Sequence, residues 1–302
     1  MLFFRLIGVC CSLLTGLVLI SCGSMVTNVP DAKVPQSVQK PVVVGFISPQ
    51  DSLLAVSIQL TDVVIGTASS VSNVTNAVVT ISENNRFVAL RYLDNSQGIY
   101  IAQARNFPIE AGKTYTLRVT MPSGQTLAAS ASVPAAVPIQ QVVFDSAQTT
   151  TTQTASLSIK WTDPAGQPNY YRIKGDQVYS LTQPTGTYTA TIDLAFRNEN
   201  FRYLLTDANR DGQTLTSSSG YYQPYTVNGT GGAVSRLPGN ILTLRLLTVD
   251  KMYYDYHSAL QQFSDANGNP FAEPVLLPTN IAGGGIGCFA AYNQSLARIV
   301  LK

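Results

Sequence analysis

The chain has 302 residues and a formal net charge of +2, and 12% of its residues are charged. A nearly neutral chain offers no concentrated basic face, so nucleic acid is not expected as a partner. The length is sufficient for two domains that each have a hydrophobic core.

The first 22 residues have the pattern of a bacterial lipoprotein signal. Arg5 precedes an apolar run over residues 6–20, which is shorter than the roughly 20 residues that a transmembrane helix needs. The run closes on Leu-Ile-Ser-Cys at residues 19–22, where a small residue stands directly before a cysteine. We therefore expect residues 1–21 to be a cleaved signal peptide and Cys22 to carry the lipid that attaches the protein to a membrane. An ordinary secretory signal with an incidental cysteine is the alternative.

Cysteine usage agrees with a protein of the cell envelope. Cys10 and Cys11 would leave with the signal peptide, and Cys22 would be modified. Cys288 would then be the remaining cysteine, so the mature chain could not form an internal disulfide. Its stability would have to come from packing.

Two β-rich regions follow the N-terminal signal. Residues 22–40 are polar, contain two prolines and have no apolar period, which predicts a flexible tether. From residue 41, short β-rich runs alternate with turn residues at the spacing of an antiparallel β-sandwich. We predict a first sandwich domain over residues 41–137. Similar runs on either side of a Thr-rich connection at residues 149–154 predict a second β-rich domain over residues 138–302.

The second region contains a long loop and one helix. Residues 216–239 are rich in Gly, Ser and Tyr, which predicts a surface loop. A helix is predicted over residues 251–263, where Asp250 can cap the start and Gly268 follows the end. Its apolar stripe would consist of Met252, Tyr256, Leu260 and Phe263. The expected fold class is mainly all-β, with two β-sandwich domains and one helix near the C-terminus of the second.

The single histidine, His257, limits the enzymatic sites that the chain could build. A Ser-His-Asp or Cys-His site would have to use it, and a zinc site cannot be assembled from His257 and Cys288 alone. The helical spacing places His257 off the apolar stripe, so we interpret it as a half-exposed surface residue. Dispersed carboxylates that pair in space would leave a hydrolase as a minor alternative. No catalytic residue is assigned.

Asp207, Asn209 and Asp211, followed by Gly212, begin like a calcium-binding loop. The loop lacks its terminal bidentate Glu, because Ser218 stands at the twelfth position. We favour a polar turn between strands, with Gly212 at positive φ, over a metal site. No metal and no cofactor are predicted.

A glycine run at residues 283–287 (Gly-Gly-Gly-Ile-Gly) could in principle hold a phosphate. No Lys-Ser/Thr pair follows the run and no helix begins after it. A close approach of this backbone to a neighbouring element is therefore the favoured interpretation.

Tyrosines concentrate in the predicted loop and in the predicted helix. Exposed aromatic side chains supply much of the binding energy when they are buried at an interface. Tyr221 and Tyr222 are therefore candidate partner-binding residues, and packing at the rim of the loop is the alternative.

The C-terminal region carries a family resemblance. Its motifs are residues 253–256 (YYDY), 268–274 (GNPFAEP) and 279–289 (TNIAGGGIGCF), supported by 42–47 (VVVGFI), 111–115 (AGKTY), 161–164 (WTDP) and 169–172 (NYYR). Together these motifs resemble a family of uncharacterised Bacteroidota outer-membrane lipoproteins, and the resemblance covers residues 41–302.

The resemblance implies a location and an association rather than a reaction. Members of that family tend to accompany TonB-dependent receptors, which implies an accessory role in uptake or assembly at the outer membrane. The expected function is a lipid-anchored, non-enzymatic accessory protein that associates with a TonB-dependent receptor or another outer-membrane complex. An adhesin-like or glycan-binding surface lipoprotein is the alternative.

Two positions depart from the family pattern. Cys288 stands where the family has an aliphatic residue, which implies a buried small hydrophobe rather than a reactive thiol. Residues 23–27 lack the acidic residues that often follow the lipidated cysteine in surface-exported lipoproteins of this phylum. The sequence therefore leaves open whether the protein faces the periplasm or the cell surface.

Overall fold

The computed structural model describes residues 38–62, 72–144, 155–183, 186–197, 203–223, 225–228, 233–236, 239–266, 269 and 271–301. The predicted signal peptide, Cys22, residues 22–37 of the predicted tether, the Thr-rich connection and Gly268 lie outside these ranges. Those expectations therefore stay predictions.

Short strands dominate the described residues. The strands of the first half are β1 (Pro41–Ile47), β2 (Leu53–Leu60), β3 (Val78–Glu83), β4 (Arg86–Tyr92), β5 (Ile99–Gln103), β6 (Thr114–Thr120) and β7 (Thr126–Ser132). Those of the second half are β8 (Gln141–Phe144), β9 (Ala155–Thr162), β10 (Tyr170–Gln183), β11 (Gly186–Asp193), β12 (Ala195–Arg197), β13 (Leu204–Thr206), β14 (Thr214–Thr216), β15 (Ser219–Tyr222), β16 (Tyr225–Asn228), β17 (Ala233–Arg236), β18 (Ile241–Val249) and β19 (Ile286–Val300). One α-helix, α1 (Lys251–Ala266), lies between β18 and β19. The expected all-β class, with one helix near the C-terminus, is confirmed.

The largest sheet follows the order β11-β10-β18-β19-β1-β2-β5-β4-β3-β6-β7, with β13 beside β10. Strands β1 and β6 of its first half alternate buried and more exposed residues, because one face of each of these strands packs on a core. The fully buried side chains of this first core include Ile47, Leu54, Tyr100, Tyr115 and Phe289.

Strand β19 joins the two halves of this sheet. Its first residues pair in parallel with β1, where Val43 lies opposite Gly287. The whole strand from Tyr292 onward pairs antiparallel with β18, up to Ile241 opposite Val300. Phe289 of β19 thus belongs to the core of the first half. The domain boundary predicted at residue 137 falls between β7 and β8 and stays a prediction.

A second sheet, of order β12-β15-β9-β14 with β8 beside β9, belongs to the second half. Its core contains Trp161 and Tyr171, whose ring centroids lie 5.2 Å apart in an edge-to-face arrangement. Leu242, Leu244 and Leu246 of β18 fill the same core. Apolar residues that alternate along β18 therefore cover one face of the large sheet and leave the other face for α1.

Helix α1 packs on the opposite face of β18 and β19. The backbone N–H of Tyr253 donates to Oδ1 of Asp250 over 2.8 Å, so the predicted N-cap is confirmed. The predicted apolar stripe is wrong in part: Tyr253, Tyr256 and Ala259 are buried, whereas Leu260 and Phe263 are exposed. In the part of the chain that the structure describes, no helix has the length and apolar character needed to span a membrane.

The surface loop predicted over residues 216–239 is wrong in its first part. Strand β15 occupies residues 219–222 and pairs with both β9 and β12. Buried and exposed residues alternate along it, because one of its faces completes the second core. Strands β16 and β17 pair with each other as a two-stranded sheet.

Candidate functional site

The two tyrosines predicted to bind a partner point in opposite directions. Tyr221 is 49% exposed, whereas Tyr222 is 3% exposed and its ring lies 6.0 Å from that of Phe144. Neighbouring residues of a strand face opposite sides of the sheet, so β15 can present only one of them to solvent. Tyr222 is a core residue and its assignment to a binding surface is wrong. The role of Tyr221 stays a prediction.

A third carboxylate joins the loop that resembles the start of a calcium site. Carboxylate oxygens of Asp163, Asp207 and Asp211 lie within 4.8 Å of one another, and Asp163 comes from the turn after β9. Asp163 and Asp207 are buried and Asp211 is exposed. Three carboxylates at this distance are oxygen ligands of the kind that a divalent cation takes.

Hydrogen bonds within the protein already use these carboxylates. Asp163 accepts from the Tyr171 hydroxyl over 2.5 Å and from the Gly212 N–H over 3.0 Å. Asp207 accepts from the N–H of Asn169, and Asp211 from the N–H of Gly166. The carboxylates therefore tie two turns together, which accounts for their positions without an ion. Gly212 has φ of 70°, as expected for the turn.

The glycine run makes the close backbone approach expected from the sequence. Gly283 and Gly287 have φ of 93° and 119°, a region that side chains with a Cβ rarely adopt. A Cβ at Gly287 would lie 2.1 Å from the carbonyl oxygen of Val43. Gly285 differs, because its nearest neighbours would be side-chain atoms of Ile281 and Leu127 at 3.0 and 3.1 Å. Gly287 therefore serves the pairing of β19 with β1, whereas Gly283 lies against β7, where a Cβ would be 2.2 Å from the carbonyl oxygen of Thr126.

His257 packs on aromatic rings beneath α1. Its ring stacks on Tyr253 at a centroid distance of 4.1 Å and lies 5.0 Å from Phe46. Nδ1 is 3.0 Å from the carbonyl oxygen of Tyr253. Burial, together with the positive charges of Arg172 and Lys174, lowers the pKa of His257 to about 4. The sequence predicts a half-exposed surface residue, whereas the structure gives His257 intermediate exposure, and its ring faces a cleft.

That cleft, which we call the cationic cleft, lies over β10 and β18 beside α1. Lys174 of β10 is paired in register with Arg245 of β18, and Arg172 is two residues before Lys174 on the same strand face. The cleft has a volume of about 590 Å³. Its other lining side chains include Asp193, Leu194, Phe196, Tyr203 and Gln261. A hollow of about 440 Å³ shares the cations and reaches His257.

Aromatic rings hold the guanidinium of Arg172. Its Nη1 donates to the Tyr253 hydroxyl over 2.6 Å. Its central carbon lies 4.8 Å from the centroid of the Tyr203 ring and 5.6 Å from that of Tyr253, within the range of cation–π contacts. Nε is buried without an acceptor, and Arg172 forms no ion pair among the described residues.

The other two cations differ in their carboxylate partners. Arg245 forms an ion pair with Asp176. Lys174 has no carboxylate oxygen within 4.0 Å among the described residues, although Asp193 lies nearby. Desolvation lowers the pKa of Lys174, and the like charges of Arg172 and Arg245 lower it further. Among the described residues of the cleft, positive charge is thus in excess.

An exposed apolar segment, residues 271–278, follows α1. Phe271 is 93% exposed and Leu276 is 89% exposed. Pro274 and Pro278 restrict its backbone. After this segment the chain enters the first core at Ile281.

Sequence reasoning did not identify the cationic cleft or the apolar segment as sites. The alternation Tyr171-Arg172-Ile173-Lys174 was the local signal for cations on one face of a strand. No local pattern connected these residues with Arg245, which lies 71 positions after Lys174 in the sequence and is brought beside it only by the pairing of β10 with β18. The apolar segment was visible only as part of a family motif.

These features define an all-β protein with one helix packed on a sheet face and a charged cleft beside that helix. The chain belongs to the family described as domain of unknown function DUF4249, whose model matches residues 27–298. The search of curated proteins found no match.

Two solved structures show a weak likeness to the chain. The FN1–FN3 domains of chicken CNTN1 are 9% identical, with 89% of this chain and 66% of that chain covered, at a TM-score of 0.25. The C-terminal globular domain of an oligosaccharyltransferase from Pyrococcus abyssi is 9% identical, with 87% and 44% covered, at a TM-score of 0.13. The chain thus spans just under two thirds of the first and less than half of the second. At these TM-scores the similarity supports no conclusion about fold or function.

Proposed function

We propose that the protein is a lipid-anchored, non-enzymatic accessory protein of the outer membrane that docks on a TonB-dependent receptor or another outer-membrane complex. The lipoprotein signal ending at Cys22 supports the anchor. The family resemblance described above supports the Bacteroidota context and the receptor as the partner.

The exposed apolar segment is the observation that supports the docking role most directly. Large apolar side chains that stand in water cost free energy, and contiguous exposed apolar surface marks interaction sites. Phe271 and Leu276 can each bury most of their surface against a partner. Because Pro274 and Pro278 restrict the backbone, the segment loses less conformational entropy when it binds.

Two features favour binding over catalysis. Cys288 is buried beneath α1, and burial raises the pKa of its thiol, which disfavours the nucleophilic thiolate. His257 is held by the ring and the carbonyl oxygen of Tyr253, and in the described part of the chain its ring makes no hydrogen bond to a carboxylate that would orient it as a base.

Affinity purification of the tagged protein from native membranes in mild detergent tests this function. The wild type is expected to retain a β-barrel receptor. The double variant Phe271→Ala/Leu276→Ala should retain it in an amount lower by about tenfold, because truncation of central apolar anchors costs the most binding energy. Cys22→Ala should move the protein to the soluble fraction.

The matched control is Phe87→Ala/Leu93→Ala, which removes the same two side-chain types at exposed positions of the first half. It should retain the receptor as the wild type does. If no integral outer-membrane protein is retained by the wild type, the accessory role is wrong and the adhesin-like alternative becomes the better account.

A further inference from the structure

Three cations from two adjacent strands converge in the cationic cleft. Arg172, Lys174 and Arg245 lie on the sheet face that α1 partly covers, and Lys174 is in register with Arg245. Like charges opposite each other in a sheet are destabilising. Asp176 and Asp193 offset part of the positive charge, and one cation remains in excess. Such an arrangement is suited to an added anion, because among the described residues no carboxylate forms an ion pair with Arg172 or Lys174.

Arg172 is already oriented for such an anion. The Tyr203 and Tyr253 rings fix the plane of its guanidinium, and the Tyr253 hydroxyl takes one of its hydrogen bonds. A fixed guanidinium loses little side-chain entropy on binding and matches the two oxygens of a carboxylate or a phosphate. An ion pair with a carboxylate of the protein would have blocked this use, and none is formed among the described residues.

The region around the cations also has an apolar wall. The Tyr203 ring lines the cleft, and the Phe46 ring lines the hollow that shares the three cations. A volume of about 590 Å³ lies within the range of small-molecule sites. The charges and the apolar wall together define the ligand as a small organic molecule with an anionic group at one end.

We propose that the cationic cleft binds a small organic anion, with its carboxylate or phosphate between Arg172, Lys174 and Arg245. The apolar body of the ligand lies against the Tyr203 and Phe46 rings. This site is separate from the docking role of the apolar segment, so either proposal can fail without the other.

Calorimetric titration of the full chain in a non-ionic detergent at fixed ionic strength tests the proposal. Benzoate and benzamide have the same ring, but only benzoate is charged. Phenyl phosphate and inorganic phosphate share an anionic group, but only the first has a body for the apolar wall. We expect benzoate or phenyl phosphate to bind at least tenfold more tightly than benzamide and inorganic phosphate, and the preferred one of the two identifies the anionic group.

Two neighbouring substitutions should change the affinity in opposite directions. Lys174→Gln removes a cation and should weaken binding of the charged probe by about tenfold. Asp193→Asn removes a competing carboxylate of nearly the same shape and should strengthen it. Ala195→Trp fills the cleft without changing its charge and should abolish binding. The control Arg91→Gln removes an exposed cation on β4 and should leave the affinity unchanged.

Several results would overturn the proposal. One is equal binding of benzoate and benzamide, and another is absence of binding by both charged probes at millimolar concentration. A third is a loss of affinity in Arg91→Gln as large as in Lys174→Gln, since that would indicate a general charge effect.

Discussion

Asp250 links the start of α1 to strand β19. Its Oδ1 accepts from the N–H of Tyr253 and its Oδ2 from the N–H of Ala291, each over 2.8 Å. Burial raises the pKa of this carboxyl from 3.8 to about 6, and the two hydrogen bonds oppose the rise. One carboxylate thus caps the helix and holds it to the sheet.

The raised pKa of Asp250 gives a sign to the pH dependence of stability. A group with a higher pKa in the folded state stabilises the fold below its unfolded pKa, and this contribution is lost as the pH rises through the folded pKa. The free energy of unfolding of the wild type, minus that of Asp250→Asn, should fall by on the order of 3 kcal/mol from pH 3.5 to pH 7. Denaturant unfolding followed by the fluorescence of the single, buried Trp161 measures it. A difference that does not vary with pH would contradict the assignment.

The contribution of His257 to stability should depend on pH with the opposite sign. Its pKa is lowered from 6.5 to about 4, so its contribution is present above pH 6.5 and is lost as the pH falls through 4. The free energy of unfolding of the wild type, minus that of His257→Gln, should therefore fall by on the order of 3 kcal/mol when the pH is lowered from 7 to 3.5. Because Asp250 and His257 oppose each other, the variants should each depend more steeply on pH than the wild type. If the free energies of unfolding of both variants changed with pH in the same direction, one of the two pKa shifts would be wrong.

At the scale of the elements, the pairing of β19 with β1 depends on one glycine. Gly287 lies opposite Val43, and its φ of 119° together with the carbonyl oxygen of Val43 leaves no room for a Cβ. Any side chain there would separate the two strands or distort them.

Gly287→Ala should lower the free energy of unfolding by at least about 2 kcal/mol more than Gly112→Ala does. Gly112 also has positive φ, at 78°, but a Cβ there would meet nothing within 4 Å. The Gly112→Ala control therefore measures the cost of placing an alanine at positive φ without a clash, about 1 kcal/mol. Denaturant unfolding of both variants at one pH gives the comparison, and equal losses would show that the close approach to Val43 is tolerated.

Local sequence patterns predicted the elements whose burial is decided locally. The runs at residues 42–47 and 53–60 match β1 and β2 closely, because alternation and flanking turn residues define such strands. Strand β19 was not predicted, since its partner β1 is more than 240 residues away in the sequence. The buried face of α1 was misassigned because Tyr253 packs against Phe46, at 5.2 Å, and only the tertiary structure brings these rings together.

At the scale of the whole molecule, the candidate sites depend on residues that are distant in sequence. Asp163 reaches the Asp207 loop only because the turns after β9 and β13 lie side by side. The cationic cleft likewise needs β10 and β18 to be neighbours in the sheet. The sequence predicted the anchor at Cys22, which lies outside the described residues, and it could not predict these juxtapositions.

The central claim is that the molecule is held at the membrane by its lipid and docks through its apolar segment. In the sequence, Cys22 precedes the first strand and the apolar segment follows α1. Contact with a partner at residue 271 is therefore the most direct consequence of the account.

Photo-crosslinking in native membranes measures that contact. A photoreactive amino acid replaces Phe271 in one variant and Phe87, which is 72% exposed, in another. The account predicts a crosslink from position 271 to an integral outer-membrane protein, and none from position 87. Crosslinks of equal yield from both positions, or none from position 271, would contradict it.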